Sequence, residues 1–286
     1  MNILFVIPTK DGGEGFNELM NSIKINIAFA QKQGFNFSYK TILIVNGDLK
    51  KPNYFLNRNN DLRLFFNVIE VNFSGKIRSI NHVLLKDNSD IVVILDDDVF
   101  FGEDLLFSAL NEFRNDSTLR LIGFKNQATD YSGVNFITKF KHDIINVRSL
   151  CDLYENADPF LFGRFIVCKK EYLIVPNDII NEDLYLSIIN DEFFTILPNK
   201  VFYNGEYSIF RHIKRVLRIE AGRIQLSKIF KGEYNKITNK CIRKIDQKKV
   251  RDLKLYYRIC YFLYRKLRIL TNKIIPLFIR HRTNHW

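Results

Sequence analysis

Residues 91–98 read Ile91-Val92-Val93-Ile94-Leu95-Asp96-Asp97-Asp98, five aliphatic residues followed at once by three carboxylates. A run that is apolar at every position buries both faces of a strand, and such strands belong to parallel sheets covered by helices. Ligands of these sheets sit beyond the carboxyl ends of the strands, where the aspartates stand. Three adjoining carboxylates repel one another and lose hydration there. A divalent cation relieves that strain, and Mg²⁺ and Mn²⁺ take their oxygen ligands from one or two carboxylates together with substrate phosphates. A solvated acidic turn, with one aspartate capping a helix, is the plainer alternative.

Outward from this stretch, strands alternate with helices. Residues 3–7 are apolar and end in Pro8-Thr9; beyond the loop at 10–15 a helical pattern runs through Phe16, Leu19, Met20, Ile23 and Ile27. Residues 41–45 repeat the buried-strand signal and close on Asn46-Gly47-Asp48, which is turn chemistry. A third short strand is expected at 64–71. Gly75 precedes a helix carrying Ile77, Ile80, Val83, Leu84 and Leu85, which leads into the strand at 91–95. Residues 104–113 read as a further helix, and 119–124 and 160–168 as strands in a mixed part of the sheet. The spacing predicts an α/β fold: a Rossmann-like, mixed but mostly parallel sheet flanked by helices.

Composition bounds the class. A chain of 286 residues, 47% hydrophobic and 14% aromatic, buries a sizeable core and is not a disordered tail. Cys151, Cys168, Cys241 and Cys260 are widely spaced, which fits reduced core residues and neither a disulfide framework nor a zinc site. The N-terminus lacks a basic segment before its short apolar run and reads as a first strand, not as a signal peptide. No stretch approaches the ~18–20 apolar residues of a membrane span. Charge is divided unevenly. Residues 211–286 hold 22 of the 43 Lys and Arg but four of the 31 acids, a balance of +18 against −6 for the first 210 residues. That places a boundary near residue 210 and points the basic segment toward an anionic partner.

Four motifs, in order along residues 1–215, resemble those of the family 2 glycosyltransferases, which have the GT-A fold. Val6-Ile7-Pro8-Thr9 is similar to the family's first strand and loop, and Gly75-Lys76-Ile77-Arg78-Ser79-Ile80-Asn81 to its helix start. Leu95-Asp96-Asp97-Asp98 resembles its D-x-D metal motif, and Asn181-Glu182-Asp183-Leu184-Tyr185-Leu186 its acceptor-side acidic motif. The resemblance implies a catalytic domain over 1–210, with a nucleotide-binding half to about residue 100 and an acceptor half over 101–210. A basic, aromatic-rich helical extension over 211–286 follows. It also implies Mn²⁺ or Mg²⁺ as cofactor and a nucleotide-sugar donor, a UDP-sugar by preference. Asp98 is then the main metal ligand, with Asp96 and Asp97 near the ribose and metal. Pro8, Thr9, Asn46 and Asp48 fall in the donor pocket, where Lys76 donates to the nucleotide. Asn81 either bonds within that pocket or braces its loop.

An acceptor hydroxyl needs its proton removed as it attacks the anomeric carbon, and a carboxylate opposite the leaving diphosphate suits that task. The resemblance assigns this to Asp183, in a single displacement with inversion, with Glu182 orienting the acceptor or the loop. First-turn acids complementing a helix dipole are the ordinary alternative for the pair. Arg211 and Arg215 are candidate phosphate clamps and His212 a candidate further metal ligand. Two positions depart from the family pattern. Val45 stands where an acidic residue usually precedes the Asn-Gly pair, leaving Asp48 as the substitute, and Lys10-Asp11 replaces a Tyr-Asn pair in the first loop.

Residues 253–270 interleave Tyr256, Tyr257, Tyr261, Phe262 and Tyr264 with Lys254, Arg258, Arg265, Lys266 and Arg268. Bases and aromatics on one amphipathic helix suit the headgroup layer of an anionic membrane. A helical hairpin packed on the catalytic domain, with a solvated basic face, fits the same pattern. The expectation is a cytoplasmic hexosyl- or N-acetylhexosaminyltransferase acting on a saccharide or lipid-linked saccharide in surface polysaccharide or glycoconjugate synthesis. Attachment would be peripheral, at the inner membrane face. Two other classes stay open. A metal-dependent nucleotidyltransferase would carry a glycine-rich basic loop after the first strand, which Lys10-Asp11-Gly12-Gly13-Glu14-Gly15 does not convincingly supply. A nucleic-acid-binding protein fits the tail, but the acidic strand end repels a phosphate chain, and no glycine-aromatic RNA motif or zinc spacing is present.

Overall fold

The computed structural model describes residues 1–9, 16–46, 64–73, 75–130, 134–154, 160–231 and 244–282. Eight strands form one sheet in the order β3-β2-β1-β4-β7-β6-β8-β5. They are β1 (Asn2–Thr9), β2 (Ser38–Asn46), β3 (Asn67–Val71), β4 (Ile91–Leu95), β5 (Val99–Phe101), β6 (Leu121–Ala128), β7 (Phe165–Lys169) and β8 (Phe194–Tyr203). The first four pair in parallel, with Ile3 opposite both Tyr39 and Ile91, and Ile42 opposite Asn67. β7 then runs antiparallel to β4, and β6 antiparallel to β7.

The parallel part follows from the apolar runs. Every residue of β4 is buried, and residues 3–7 of β1 are at most 1% exposed, so both faces of these strands are covered. Helix α1 (Phe16–Lys32) supplies a cover, turning Phe16, Leu19, Ile23 and Ile27 inward at helical spacing. Helix α2 (Lys76–Leu84) buries Ile77, Ile80 and Val83, and α3 (Leu105–Asn115) buries Leu105, Leu106, Ala109 and Leu110. Gly75 opens α2 at φ 115, a conformation that L side chains rarely adopt, so the glycine fixes where this helix begins.

The chain divides into two compact units, one of residues 1–126 and 160–202, the other of 127–159 and 203–286. The C-terminal unit therefore takes in an internal segment that composition assigns to the first 210 residues. The reason is a helix pair. Helix α4 (Phe136–Leu150) packs against the long C-terminal helix α8 (Leu255–Arg282), with Val147, Cys260 and Tyr264 at the centre of the contact. A buried carboxylate fixes the register: Asp143 of α4 accepts from the Tyr256 hydroxyl at 2.8 Å and from Lys139 Nζ at 3.2 Å. Helix α6 (Ile209–Ile229) packs on both α4 and α8, and the short α7 (Gln247–Arg251) begins with Asp246 capping the backbone N–H groups of Lys248 and Lys249. Helix α5 (Glu182–Ile189) belongs to the first unit. Among the described residues no helix is long and apolar enough to cross a membrane. The cysteines at 151, 168 and 260 are free thiols; Cys241 lies outside the described residues.

Candidate active site

Five chain segments of the first unit meet at the carboxyl end of β4. Asp96, Asp97 and Asp98 leave that strand, Thr9 ends β1, Lys76 opens α2, and Glu182-Asp183 open α5. The fifth segment, Gly163-Arg164, enters β7, and the Asp96 N–H donates to the Arg164 carbonyl at 3.0 Å. The antiparallel register of β4 and β7, with Leu95 opposite Phe165, sets that juxtaposition.

Lys76 is the hub. Its ammonium lies 2.7 Å from Asp96 Oδ1 and 2.8 Å from Glu182 Oε1, and donates to the Gly163 carbonyl at 2.9 Å. Burial acts to lower its pKa, but Asp96 and Glu182 outweigh burial and hold it well above the ordinary lysine range. Lys76 is thus a fixed cation that links the strand-end acids to the acids of α5. Gly163 lies at the centre of this convergence. A methyl group there would stand 3.3 Å from Glu182 Oε1 and 3.5 Å from both Asp183 Oδ2 and Lys76 Nζ.

Asp183 accepts the Gly163 N–H at 3.2 Å through Oδ2 and the Leu184 N–H at 2.8 Å through Oδ1. Burial, with the adjacent Glu182 charge, raises its pKa to about 6 against the pull of Lys76 and the two N–H groups. That is a stronger base than an ordinary carboxylate, yet one still ionised at neutral pH. Asp97 is raised to about 6 as well, by burial and by the neighbouring Asp98 and Asp96, although it accepts a 2.5 Å bond from the Thr9 hydroxyl. Asp98 points both carboxylate oxygens at one guanidinium nitrogen, Arg164 Nη1, at 2.9 and 3.1 Å.

The donor set suits Mg²⁺ or Mn²⁺ in kind, being all oxygen and carrying a mutual repulsion that adds to burial in raising the Asp97 pKa. Among the described residues no three His, Cys, Asp or Glu side chains form a metal-holding group. The arrangement therefore fits a cation held by one or two carboxylates that completes its shell from a ligand's phosphates.

The remaining predicted residues are placed as follows. Pro8 lies within β1 opposite Ile44 of β2. Asn81 spends its amide on bracing, donating to the Val175 carbonyl at 2.7 Å and to Asn177 Oδ1 at 2.9 Å. Asn46 is the last residue of β2; Asp48 and the loop at 10–15 lie outside the described residues. Val45 is buried, and Glu70 stands opposite it in register on β3 with an exposed side chain. Arg211, His212 and Arg215 belong to the second unit. His212 is buried there edge-on to Tyr264, with Arg215 Nη2 3.3 Å from its Nδ1. Burial first, then Arg215 and Arg148, lower its pKa to about 4. Two cationic neighbours make His212 a poor ligand for another cation. Sequence reading missed Arg164 and Gly163. The available signal was a lone charge after a glycine inside the apolar run Phe160-Leu161-Phe162-Gly163-Arg164-Phe165-Ile166-Val167.

No protein-family model matches the sequence, and no curated protein matches it. Solved structures do. The mannosyltransferase PcManGT from Pyrobaculum calidifontis, in complex with GDP-Man and Mn²⁺, aligns over 99% of this chain and 88% of its own with a TM-score of 0.60 at 13% identity. TarS 1-349 from S. aureus aligns over 79% of this chain and 66% of its own, just under two thirds, with a TM-score of 0.49 at 14% identity. Glucosyl-3-phosphoglycerate synthase from Mycobacterium tuberculosis, in complex with Mn²⁺, UDP and glucosyl-3-phosphoglycerate, gives 77%, 79%, 0.49 and 12% for the same measures. The alignment with PcManGT shows a common fold, and the chain has the GT-A architecture that its motifs led us to expect.

Proposed function

We propose that this chain is a metal-dependent, inverting glycosyltransferase. It moves a sugar from a nucleotide-diphosphate sugar, with a UDP-sugar the first donor to try, to a hydroxyl of a saccharide or lipid-linked saccharide. The observation that carries this reading is the Lys76 bridge, which ties a strand-end carboxylate cluster to Glu182, next to the raised-pKa carboxylate of Asp183, on a GT-A scaffold. PcManGT, which shares the scaffold, was solved with GDP-Man and Mn²⁺.

The acceptor oxygen attacks the anomeric carbon, its proton passes to the Asp183 carboxylate, and the bond from that carbon to the diphosphate breaks with its electron pair on the leaving oxygen. Glu182 is engaged in an ion pair with Lys76, which fixes its carboxylate beside Asp183. Lys76 also places a permanent positive charge beside Asp96. Asp98 and Asp96 are the residues that would hold the cation, which when bound supplies Lewis-acid stabilisation of the developing diphosphate charge. Thermal unfolding tests the donor. With Mn²⁺ present, a nucleotide sugar at a hundred times its Kd is expected to raise the melting temperature by about 5 °C, since only the native state binds it. No shift with any UDP- or GDP-sugar overturns the reading.

The second unit supports a peripheral membrane role as part of the same proposal. Helix α8 buries Cys260, Tyr264 and Thr271 against its own unit and turns Leu255, Ile259, Phe262 and Ile269 outward, each 46–72% exposed. Between residues 255 and 273 it carries five Lys and Arg and no acid. An apolar stripe with basic flanks suits an anionic bilayer. Cosedimentation with phosphatidylserine vesicles at low salt is the check. Ile259→Glu with Phe262→Glu is expected to weaken it by about tenfold or more, since two large side chains lose their burial in the bilayer. Undiminished binding removes α8 from that role.

A further inference from the structure

Arginine side chains from three helices of the second unit converge on Tyr264. The Arg148 guanidinium of α4 lies 4.5 Å from the centre of the Tyr264 ring and 5.5 Å from that of Tyr154. Arg215 of α6 stands beside His212, whose ring meets Tyr264 edge-on at 6.4 Å. Arg268 follows Tyr264 by one turn of α8. Burial raises the pKa of the Tyr264 hydroxyl, and the charges of Arg148, Arg268 and Arg215 all pull it the other way. The guanidinium of Arg215 is held in place. It has no acceptor atom, so its Nη2 donates to His212 Nδ1 at 3.3 Å, which leaves the proton of the neutral imidazole on Nε2.

Three guanidinium groups gathered around one ring repel one another, as the carboxylates of the first unit do. The nearby acids of α4 and the turn after it are engaged elsewhere: Asp143 with Lys139 and Tyr256, and Asp152 with Lys249. Among the described residues no carboxylate pairs with Arg148 or Arg268. A second observation points to a ligand. Tyr264 is 4% exposed, yet among the described residues its hydroxyl has no hydrogen-bond partner. A buried donor left unsatisfied costs stability, and one set among cations calls for an anion.

We propose that Arg148, Arg215, Arg268 and the Tyr264 hydroxyl form a phosphate-binding site in the second unit. Planar guanidinium forks match phosphate oxygens, and the hydroxyl supplies one further donor. The phosphate belongs either to a lipid headgroup or to a soluble compound. Arg268 adjoins Ile269, which is 51% exposed on the outward apolar stripe of α8, so a lipid phosphate seated here lays its acyl chains along that stripe. Neither source requires a nucleotide sugar or a divalent cation, so the site is independent of the donor reading.

Calorimetric titration of the full-length protein in EDTA tests this, with inorganic phosphate and with dihexanoyl phosphatidic acid below its micelle concentration. Arg148→Gln combined with Arg268→Gln is expected to weaken binding by at least about tenfold, since two charge-assisted contacts are lost. Tyr264→Phe keeps the ring, removes the hydroxyl and is expected to weaken it by about fivefold. Phosphatidic acid binding about tenfold tighter than inorganic phosphate assigns the site to a lipid, whereas equal affinities assign it to a soluble phosphate. Binding of neither probe by wild type overturns the site, and so does undiminished binding by the folded double variant. If the double variant does not fold, Arg268→Gln alone, at an exposed position, is judged in the same way. Dihexanoyl phosphatidylcholine binding as tightly as phosphatidic acid also overturns the site, because the acyl chains then carry the affinity.

Discussion

Asp183→Asn is expected to lower sugar transfer by about a thousandfold, within the 10²–10⁴ that a positioned base contributes, while changing donor affinity by less than about threefold. The split follows from place. Asp183 bonds to Gly163 and Leu184 and sits beside Glu182, whereas the cluster suited to cation and diphosphate is Asp96–Asp98. Asparagine keeps the shape but can accept only one of the two backbone N–H bonds, a stability cost of about 1 kcal/mol that does not unfold the chain. Wild-type kcat/KM should rise with pH through about 6, where the Asp183 carboxyl loses its proton, and level off above it. The carboxylate is the working form, so activity falls on the acid side. Steady-state rates from pH 5 to 8 check both points. Normal transfer by the asparagine variant removes Asp183 as the base; any acid limb that survives on its depressed rate belongs to Asp97, whose pKa is also raised to about 6.

Legibility in the sequence tracked the physical origin of each feature. Strands β1, β2 and β4 were readable because sheets covered on both faces require unbroken apolar runs, and residues 3–7, 41–45 and 91–95 supply them. Helix α4 was not readable, because the face it buries carries His142, Asp143 and Asn146, and those polar side chains break the apolar period. Their partners come from distant sequence: the Tyr256 hydroxyl meets Asp143, and the Glu206 carbonyl accepts from Asn146. The same helix pair draws residues 127–159 into the C-terminal unit, which no change of composition announces. Strand β8 escaped notice because Pro198, Asn199 and Lys200 interrupt it and most of its residues are only half-buried.

The site divides in the same way. Carboxylates at a strand end are visible as a local motif, and so is a lysine after a helix-opening glycine. That Lys76 would bridge Asp96 to Glu182 depends on α2, β4 and α5 meeting, which is tertiary information. Arg164 has no local signature beyond a charge in an apolar run, and its role is set by the register of β7 against β4. His212 shows the converse: a plausible ligand in the sequence, it sits among Arg148, Arg215 and Tyr264.

Asp98→Ala is the second large effect, and it acts on transfer and on donor binding in different ways. Transfer should fall by about a thousandfold or more, because Lewis-acid stabilisation of a leaving diphosphate contributes several kcal/mol and no neighbouring group replaces it. Donor binding should respond differently. The variant removes one of three adjoining carboxylates, the one that lies 2.9 Å from Arg164 Nη1. UDP binding without metal is therefore expected to persist, and to be tighter by about threefold than that of wild type without metal, as one carboxylate no longer repels it. Added Mn²⁺ should no longer strengthen it. Calorimetric titration of UDP, with GDP in parallel, into wild type and variant with and without Mn²⁺ separates these terms. A metal-dependent gain retained in Asp98→Ala excludes Asp98 as the principal ligand. A complete loss of metal-free binding in the folded variant overturns the view that the Asp98 carboxylate repels the diphosphate.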